Sequence, residues 1–342
     1  MQVKRMLDGR FALKTISQGE IMQDTIESIL KDLFSVDFKK VSNELCVDMY
    51  NSLSNSLSAN KNEVSIVTEL CSVIDNRKYK KFSFHAKKIH GKASNVEFKN
   101  KNRVTVKELS DMAVISILTD NKKILFEKTA FIQNKKEIGQ NKWDIEQDQL
   151  FLLRNFPTFI PKTGLLRRLK NNNVILINRT KSLGNYGLFQ KPGEMIIVNA
   201  ETIFTTQKNG NVVYNDLLSA SQHTISSSNI FWLPYYDDFI CDLFHYLYRF
   251  QLSICNKGII PFIDTCPISL NIYDVIQNLV NFNIGEVASI NSNIINSDLA
   301  EINNVLLNSI GLRFENSVIS EDPEFESNIA VLVFQIDIGN ME

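Results

Sequence analysis

Two apolar runs with a short polar break between them constrain this chain more than any other feature. They are residues 109–118 (LSDMAVISIL) and 124–133 (ILFEKTAFIQ), divided by Thr119, Asp120 and Asn121. Neither contains glycine or proline, and both are rich in the side chains that suit a pleated, buried surface. They read as two strands joined by a turn, an antiparallel hairpin. A hairpin is not stable alone, so the flanking sequence must supply further strands and covering helices.

That flanking sequence is legible in part. Upstream, Leu45, Met49, Leu53 and Leu57 recur at helical spacing, as do Ile21, Ile26, Ile29, Leu30 and Leu33 before them. Asn62 stands where a helix cap belongs, ahead of Val64, Val67, Leu70, Cys71 and Ile74. Val96 and Phe98 alternate with charged residues as in a strand. Downstream, residues 143–156 predict a helix with Asp144 near its start and Pro157 at its end, and residues 171–173 a turn into a short buried strand over 174–177. Beyond that, Gly184, Gly187 and Gly193 punctuate a loop-rich stretch around a strand at 195–198. Helices are expected over 235–252, 268–282 and 298–310, and a strand over 329–336. The expectation is an α/β chain in three parts. Residues 1–60 form a helical N-terminal extension, 61–180 an αβββαβ core, and 181–342 a mixed α+β accessory region.

Charge is distributed unevenly. The net charge is −1, yet residues 77–107 hold eleven basic residues against one acidic residue, Glu97. A block of this kind is the expected footprint of phosphate binding, and Lys87, Lys88, Lys92, Lys99, Lys101 and Arg103 are its candidate nucleic-acid contacts. A solvated lysine-rich face is the competing reading. From Asp298 onward nine acidic residues face only Arg313, a region that could dock a partner protein. No apolar run approaches the ~20 residues of a membrane span. The opening MQVKRMLDGRFALK has no secretory core, so a cytoplasmic protein without membrane contact is expected. The five cysteines (46, 71, 241, 255 and 266) form no C-x-x-C, which favours reduced, buried thiols over zinc or disulfides.

The chemistry lies in the hairpin. Asp111 sits near the start of the first strand, and Gln133 and Lys135 close the second. Residues two apart in a strand share a face, so Gln133 and Lys135 point together toward Asp111. Phosphodiester hydrolysis needs these types: a carboxylate for a hard divalent cation and a lysine to offset charge on the phosphate. A second register, Asp75 with Glu97-Phe98-Lys99, matches less well, because Asp75 falls at a helix end. His85, His90, His223, His245, the aromatic residues between 232 and 248, and the Asp237-Asp238 pair read as ordinary structural residues. No P-loop, G-x-G-x-x-G or G-x-S-x-G occurs.

The order of elements, with Asp111 followed by Gln133-Asn134-Lys135 at the end of the next strand, resembles the PD-(D/E)XK restriction-endonuclease-like nucleases. The nearest likeness is the Mrr-like branch, in which glutamine replaces the second acid. The resemblance spans roughly residues 62–179. It implies Asp111 as a metal ligand, Gln133 as a ligand through its oxygen or main chain, Lys135 as the catalytic lysine, and Mg²⁺ (or Mn²⁺) as the cofactor. Ser110 stands where the family has proline. Because glutamine brings no charge, Glu69 on the capped helix and Glu108 are the candidate additional ligands; Glu108 would require a bulge. The implied function is a DNA endonuclease in restriction or anti-phage defence, and a homodimer is compatible with it. The alternative is an inactive nucleic-acid-binding or regulatory subunit on a nuclease-like core.

Overall fold

A computed structural model describes residues 36–89, 91–223, 229–234, 259–264, 268–290, 293–315 and 328–339. Helix α1 (Val36–Ser58) buries Leu45, Met49, Leu53 and Leu57, one i, i+4 stripe. Helix α2 (Glu63–Ile74) starts where the cap predicts: the Asn62 side chain accepts a hydrogen bond from Ser65 N at 2.9 Å. Val67, Leu70, Cys71 and Ile74 are buried. Val64 is 42% exposed, because it lies in the first turn, ahead of the packed stripe that begins at Ile66.

Three antiparallel hairpins follow: β1 (Arg77–Tyr79) with β2 (Phe82–Ile89), β3 (Asn95–Asn100) with β4 (Arg103–Glu108), and β5 (Met112–Asp120) with β6 (Lys123–Lys136). Then come β7 (Lys142–Asp144), α3 (Gln147–Asn155), β8 (Phe159–Pro161), β9 (Gly184–Gln190), β10 (Glu194–Asn199), α4 (Ala200–Thr206), β11 (Asn211–Val213) and α5 (Tyr214–His223). The last elements are β12 (Asn229–Pro234), β13 (Ile259–Asp264), α6 (Ile272–Val280), β14 (Glu286–Ile290), β15 (Asn293–Ile294), α7 (Ser297–Ser309) and β16 (Ile329–Asp337).

The architecture is mixed α/β. The main sheet runs β1-β2-β16-β5-β6 and forks at β6. The first half of β6 carries β14 antiparallel, and its second half carries β9 parallel, with β10 beyond. β5 is central and buried on both faces, which is why it reads as an unbroken apolar run. Met112, Val114 and Leu118 face a core under α1, α2 and α6, whereas Ala113, Ile115 and Ile117 face one under α3, α4 and α7. β3, β4 and β8 form a separate three-stranded wing in the order β4-β3-β8.

The structure corrects several expectations. β5 starts at Met112, and Glu108 ends the preceding strand, so no bulge is needed to turn Glu108 toward Asp111. The hairpin turn is Asn121-Lys122, both at positive φ (46° and 71°), and Asp120 pairs with Lys123. Trp143 lies in β7 opposite Val212, and the helix begins only at Gln147. Trp143 and Ile145 are buried alternate residues, a strand period that adjoins the helical one. Residues 174–177 do not join the main sheet; Val174 makes a single bridge to Phe159. The strand that joins is β9, which contains two of the glycines expected in a loop. A side chain at Gly184 would meet the Leu153 carbonyl oxygen at 2.0 Å, and one at Gly187 would meet Asn134 Oδ1 at 2.3 Å. The glycines are there for close approach to α3 and β6. Strands from both sides of position 180 therefore share one sheet. The helices expected over 20–34 and 235–252 lie outside the described residues. No helix among the described residues is long and apolar enough to cross a membrane.

Candidate functional site

Asp111 is fixed at the rim of the sheet by its backbone. Its N–H donates to Ile132 O of β6 at 3.1 Å, and its carbonyl accepts from Ala330 N of β16 at 2.9 Å. The register Met112↔Ile132 then places Asp111 across from Gln133. Gln133 Nε2 donates to Asp111 Oδ2 at 2.5 Å, and Asn134 N donates to the same oxygen at 2.7 Å. Lys135, two residues on, shares the Gln133 face. Lys136 turns away: its backbone N–H donates to Glu63 Oε1 at 2.8 Å, and its Nζ donates to Asn60 Oδ1 at 2.8 Å and Lys61 O at 3.1 Å.

The electrostatics single out two carboxylates. Burial pushes Asp111 from an ordinary 3.8 up to about 6; the Asn134 N–H opposes that, Glu63 adds to it, and Lys135 and Lys88 draw it down. Burial, then the charge of Asp111, pushes Glu108 from 4.5 up to about 7, against Lys88 and Lys135. Several buried oxygens of this region have no hydrogen-bond partner: Glu108 Oε1, Gln133 Oε1, the Ser110 hydroxyl and the Tyr186 hydroxyl. Tyr186 stands opposite Gln133 on β9 and senses the Asp111 charge. Native interiors rarely leave such atoms unsatisfied, so their concentration here gives the region free capacity for polar contacts.

The other sequence candidates divide. Glu69 is not brought to this site: Ser56 and Lys61 hold its carboxylate at the junction of α1 and α2, and those bonds lower its pKa. The α2 acid whose charge reaches Asp111 is Glu63, the first residue of the helix, whose carboxylate accepts from Lys136 N at 2.8 Å and which the sequence pattern did not single out. Its signal was the Asn62 cap, which puts residue 63 at a helix N-terminus. Lys88 is not a surface contact. It is 7% exposed, its Nζ donates to Asn328 O at 3.2 Å, and its charge is coupled to those of Asp111 and Glu108. Burial lowers its pKa against the pull of those acids. Lys87, Lys92, Lys99 and Lys101 are exposed. Arg103 is exposed but paired with Asp148 at 2.6 Å. In the second register, Asp75 accepts from Ala86 N at 2.9 Å while Glu97 pairs with Lys162 at 3.0 Å in the other sheet, so the two do not converge. Cys46 and Cys71 are free thiols pushed up to about 11 and about 12, chiefly by burial, which disfavours their reactive thiolate forms. His90 and the aromatic residues from 235 to 248 lie outside the described residues.

Whether these residues suit a divalent metal is a question of donor type. Among the described residues no three His, Cys, Asp or Glu side chains are grouped as a metal site would group them. What is present is an oxygen set: the Asp111 and Glu108 carboxylates and the unpartnered Gln133 oxygen. Mg²⁺ is commonly held by one or two carboxylates, with waters and substrate phosphate completing the shell, so the set fits a hard cation. Gln133 must rotate its amide to contribute, because its nitrogen now faces Asp111. What fold and site define is a mixed α/β chain with a carboxylate–lysine cluster at the rim of its sheet. No protein-family model, curated protein or solved structure matches the chain.

Proposed function

We propose that the chain is a metal-dependent DNA endonuclease resembling the PD-(D/E)XK nucleases. One observation carries the reading. Two carboxylates with raised pKa, next to buried oxygens that lack partners, meet two lysines where the β5–β6 hairpin ends beside parallel β9. In this reading Asp111 and Glu108 hold the cation, with the Gln133 oxygen as third donor. Bound Mg²⁺ would polarise the phosphate and lower the pKa of the attacking water. Lys135 orients the phosphate and offsets the charge that develops on its oxygens. Lys88, anchored to the Asn328 carbonyl, partly offsets the burial that raises both acids and so favours their ionised forms. Water gives up a proton to solvent as its oxygen bonds to phosphorus, the P–O ester bond breaks, and the leaving oxygen takes up a proton from solvent, so that one water is consumed per bond cut. A setting in restriction or anti-phage defence rests on analogy with the superfamily.

A second reading has its own observation. Asp111 Oδ2 is already engaged by the Gln133 amide nitrogen and the Asn134 N–H. A site satisfied in this way suits a nucleic-acid-binding subunit that no longer cleaves. Incubation of plasmid with the protein and Mg²⁺, wild type beside Asp111→Ala, decides between them. The nuclease reading expects nicked or linear DNA from the wild type alone. Cleavage that survives the substitution would sink the assignment of Asp111.

A further inference from the structure

The wing formed by β3, β4 and β8 has two unlike faces. One packs on α3: Val96 and Phe98 are buried, and Phe98 stacks on Phe151 with centroids 6.1 Å apart. The odd residues of β4 turn this way and are neutralised there. Arg103 pairs with Asp148, and Lys107 with Glu146, both acids at the start of α3. The even residues turn outward. Val104 and Val106 are 58% and 48% exposed, and Glu108, next but one along the strand, belongs to the Asp111 site. On β3, Lys99 pairs in register with Val104 and Glu97 with Val106. The charge of Glu97 is taken up by Lys162 at 3.0 Å. Lys99, and Lys101 at the hairpin tip, form no ion pair among the described residues. The outer face thus presents two β-branched apolar side chains beside uncompensated cations, its one unpaired acid is Glu108, and there it runs into the proposed catalytic rim.

We propose that this outer face seats the duplex DNA flanking the scissile phosphate, with Lys99 and Lys101 on backbone phosphates and Val104 and Val106 against the sugars. The inference rests on the nuclease reading of the Asp111 site. Its occupant follows from continuity and charge: the face shares Glu108 with that site, and its open cations call for an anionic partner that passes through it. The reach is fixed by strand geometry. Val104 stands four residues from Glu108, about 13 Å at ~3.3 Å per residue. That is about four base-pair steps at ~3.4 Å each. The wing therefore holds DNA to one side of the cut and sets its direction.

The test is equilibrium binding of a 5′-fluorescein-labelled DNA duplex of about thirty base pairs, without Mg²⁺, across a salt series. If Lys99 and Lys101 each neutralise one phosphate, the variant carrying Lys99→Glu and Lys101→Glu loses about 1.8 from the log–log salt slope. Its affinity falls tenfold or more. Val104→Ala with Val106→Ala weakens binding but leaves the slope unchanged, because apolar contacts release no counterions. Lys39→Glu with Lys40→Glu, an equal charge change on α1 across the sheet, binds like the wild type. All these positions are exposed or on a strand surface, and matching melting curves confirm that the variants fold. Equal affinity and slope for wild type and the wing lysine variant, or no duplex binding by the wild type, overturns the proposal. The plasmid assay separates the two readings. Cleavage with binding indifferent to the wing removes the wing alone; wing-dependent binding without cleavage removes the catalytic assignment alone.

Discussion

Lys135 and Lys136 adjoin in sequence and diverge in space, which makes them a paired test of the site. Lys135 shares the Gln133 face and draws down the pKa of both acids. Lys136 ties the loop between α1 and α2 to β6 through Asn60 and the Lys61 carbonyl. If Lys135 stabilises charge that develops only in the transition state, Lys135→Ala lowers kcat about 10²–10³-fold and leaves DNA affinity nearly unchanged. Lys136→Ala loses two hydrogen bonds, worth roughly 0.5–1.5 kcal/mol each, so it lowers the melting temperature while each folded molecule cleaves normally. Kinetics and melting measured on both variants check this; equal losses of turnover would mean that neither lysine is catalytic. At this scale the strand parity of Asp111, Gln133 and Lys135 was legible, because a two-residue period needs no tertiary information. Glu69 and Lys88 were misplaced for the opposite reason. The direction of Glu69 is set by Ser56 and Lys61 on another element, and the burial of Lys88 by its pairing with β16, some 240 residues away.

Elements were legible where their period is long and unmixed. The α1 stripe, the Asn62 cap, the β5–β6 hairpin and β16 announce themselves through local chemistry. β9 does not, since its sequence GNYGLFQ carries glycines that suggest a loop and gain their meaning only from what lies opposite. Gly184 passes against the backbone of α3, with 2.0 Å between an added Cβ and the Leu153 carbonyl oxygen. No flexible side chain is there to yield, so Gly184→Ala must part α3 from the sheet. Overpacking of this kind costs about 1–3 kcal/mol. Chemical denaturation of Gly184→Ala should show a loss in that range with an unchanged m-value. A neutral substitution would mean that α3 and β9 do not meet as closely as described.

At the scale of the whole molecule, the site draws stability from the fold. The sheet that holds Asp111 is closed by β16, whose Ala330 donates to the Asp111 carbonyl, so residues more than two hundred positions apart set one carboxylate. That carboxylate is held in a place that penalises its charge. Its folded pKa of about 6 lies above the ordinary 3.8, so the folded chain keeps a proton that the unfolded chain gives up. Stability contributed by the protonated form is complete below about pH 4 and is lost as pH rises through 6. Glu108, raised from 4.5 to about 7, acts in the same direction slightly higher. Asp111→Asn keeps an oxygen to accept from Gln133 and Asn134 but removes the buried charge. The variant should therefore melt higher than the wild type at pH 8, by about 2–3 kcal/mol if the whole shift of about two pK units is realised. The difference should close at pH 4, where both are neutral. Mg²⁺ reverses the ranking in the nuclease reading: millimolar cation raises the wild-type melting temperature at pH 8 by mass action and leaves Asp111→Asn where it was. Calorimetry at the two pH values, with and without Mg²⁺, gives four comparisons. A wild type that Mg²⁺ does not stabilise at pH 8, while Asp111→Asn still melts higher, would mean a buried acid with no cation to meet it, and would favour the binding subunit over the nuclease.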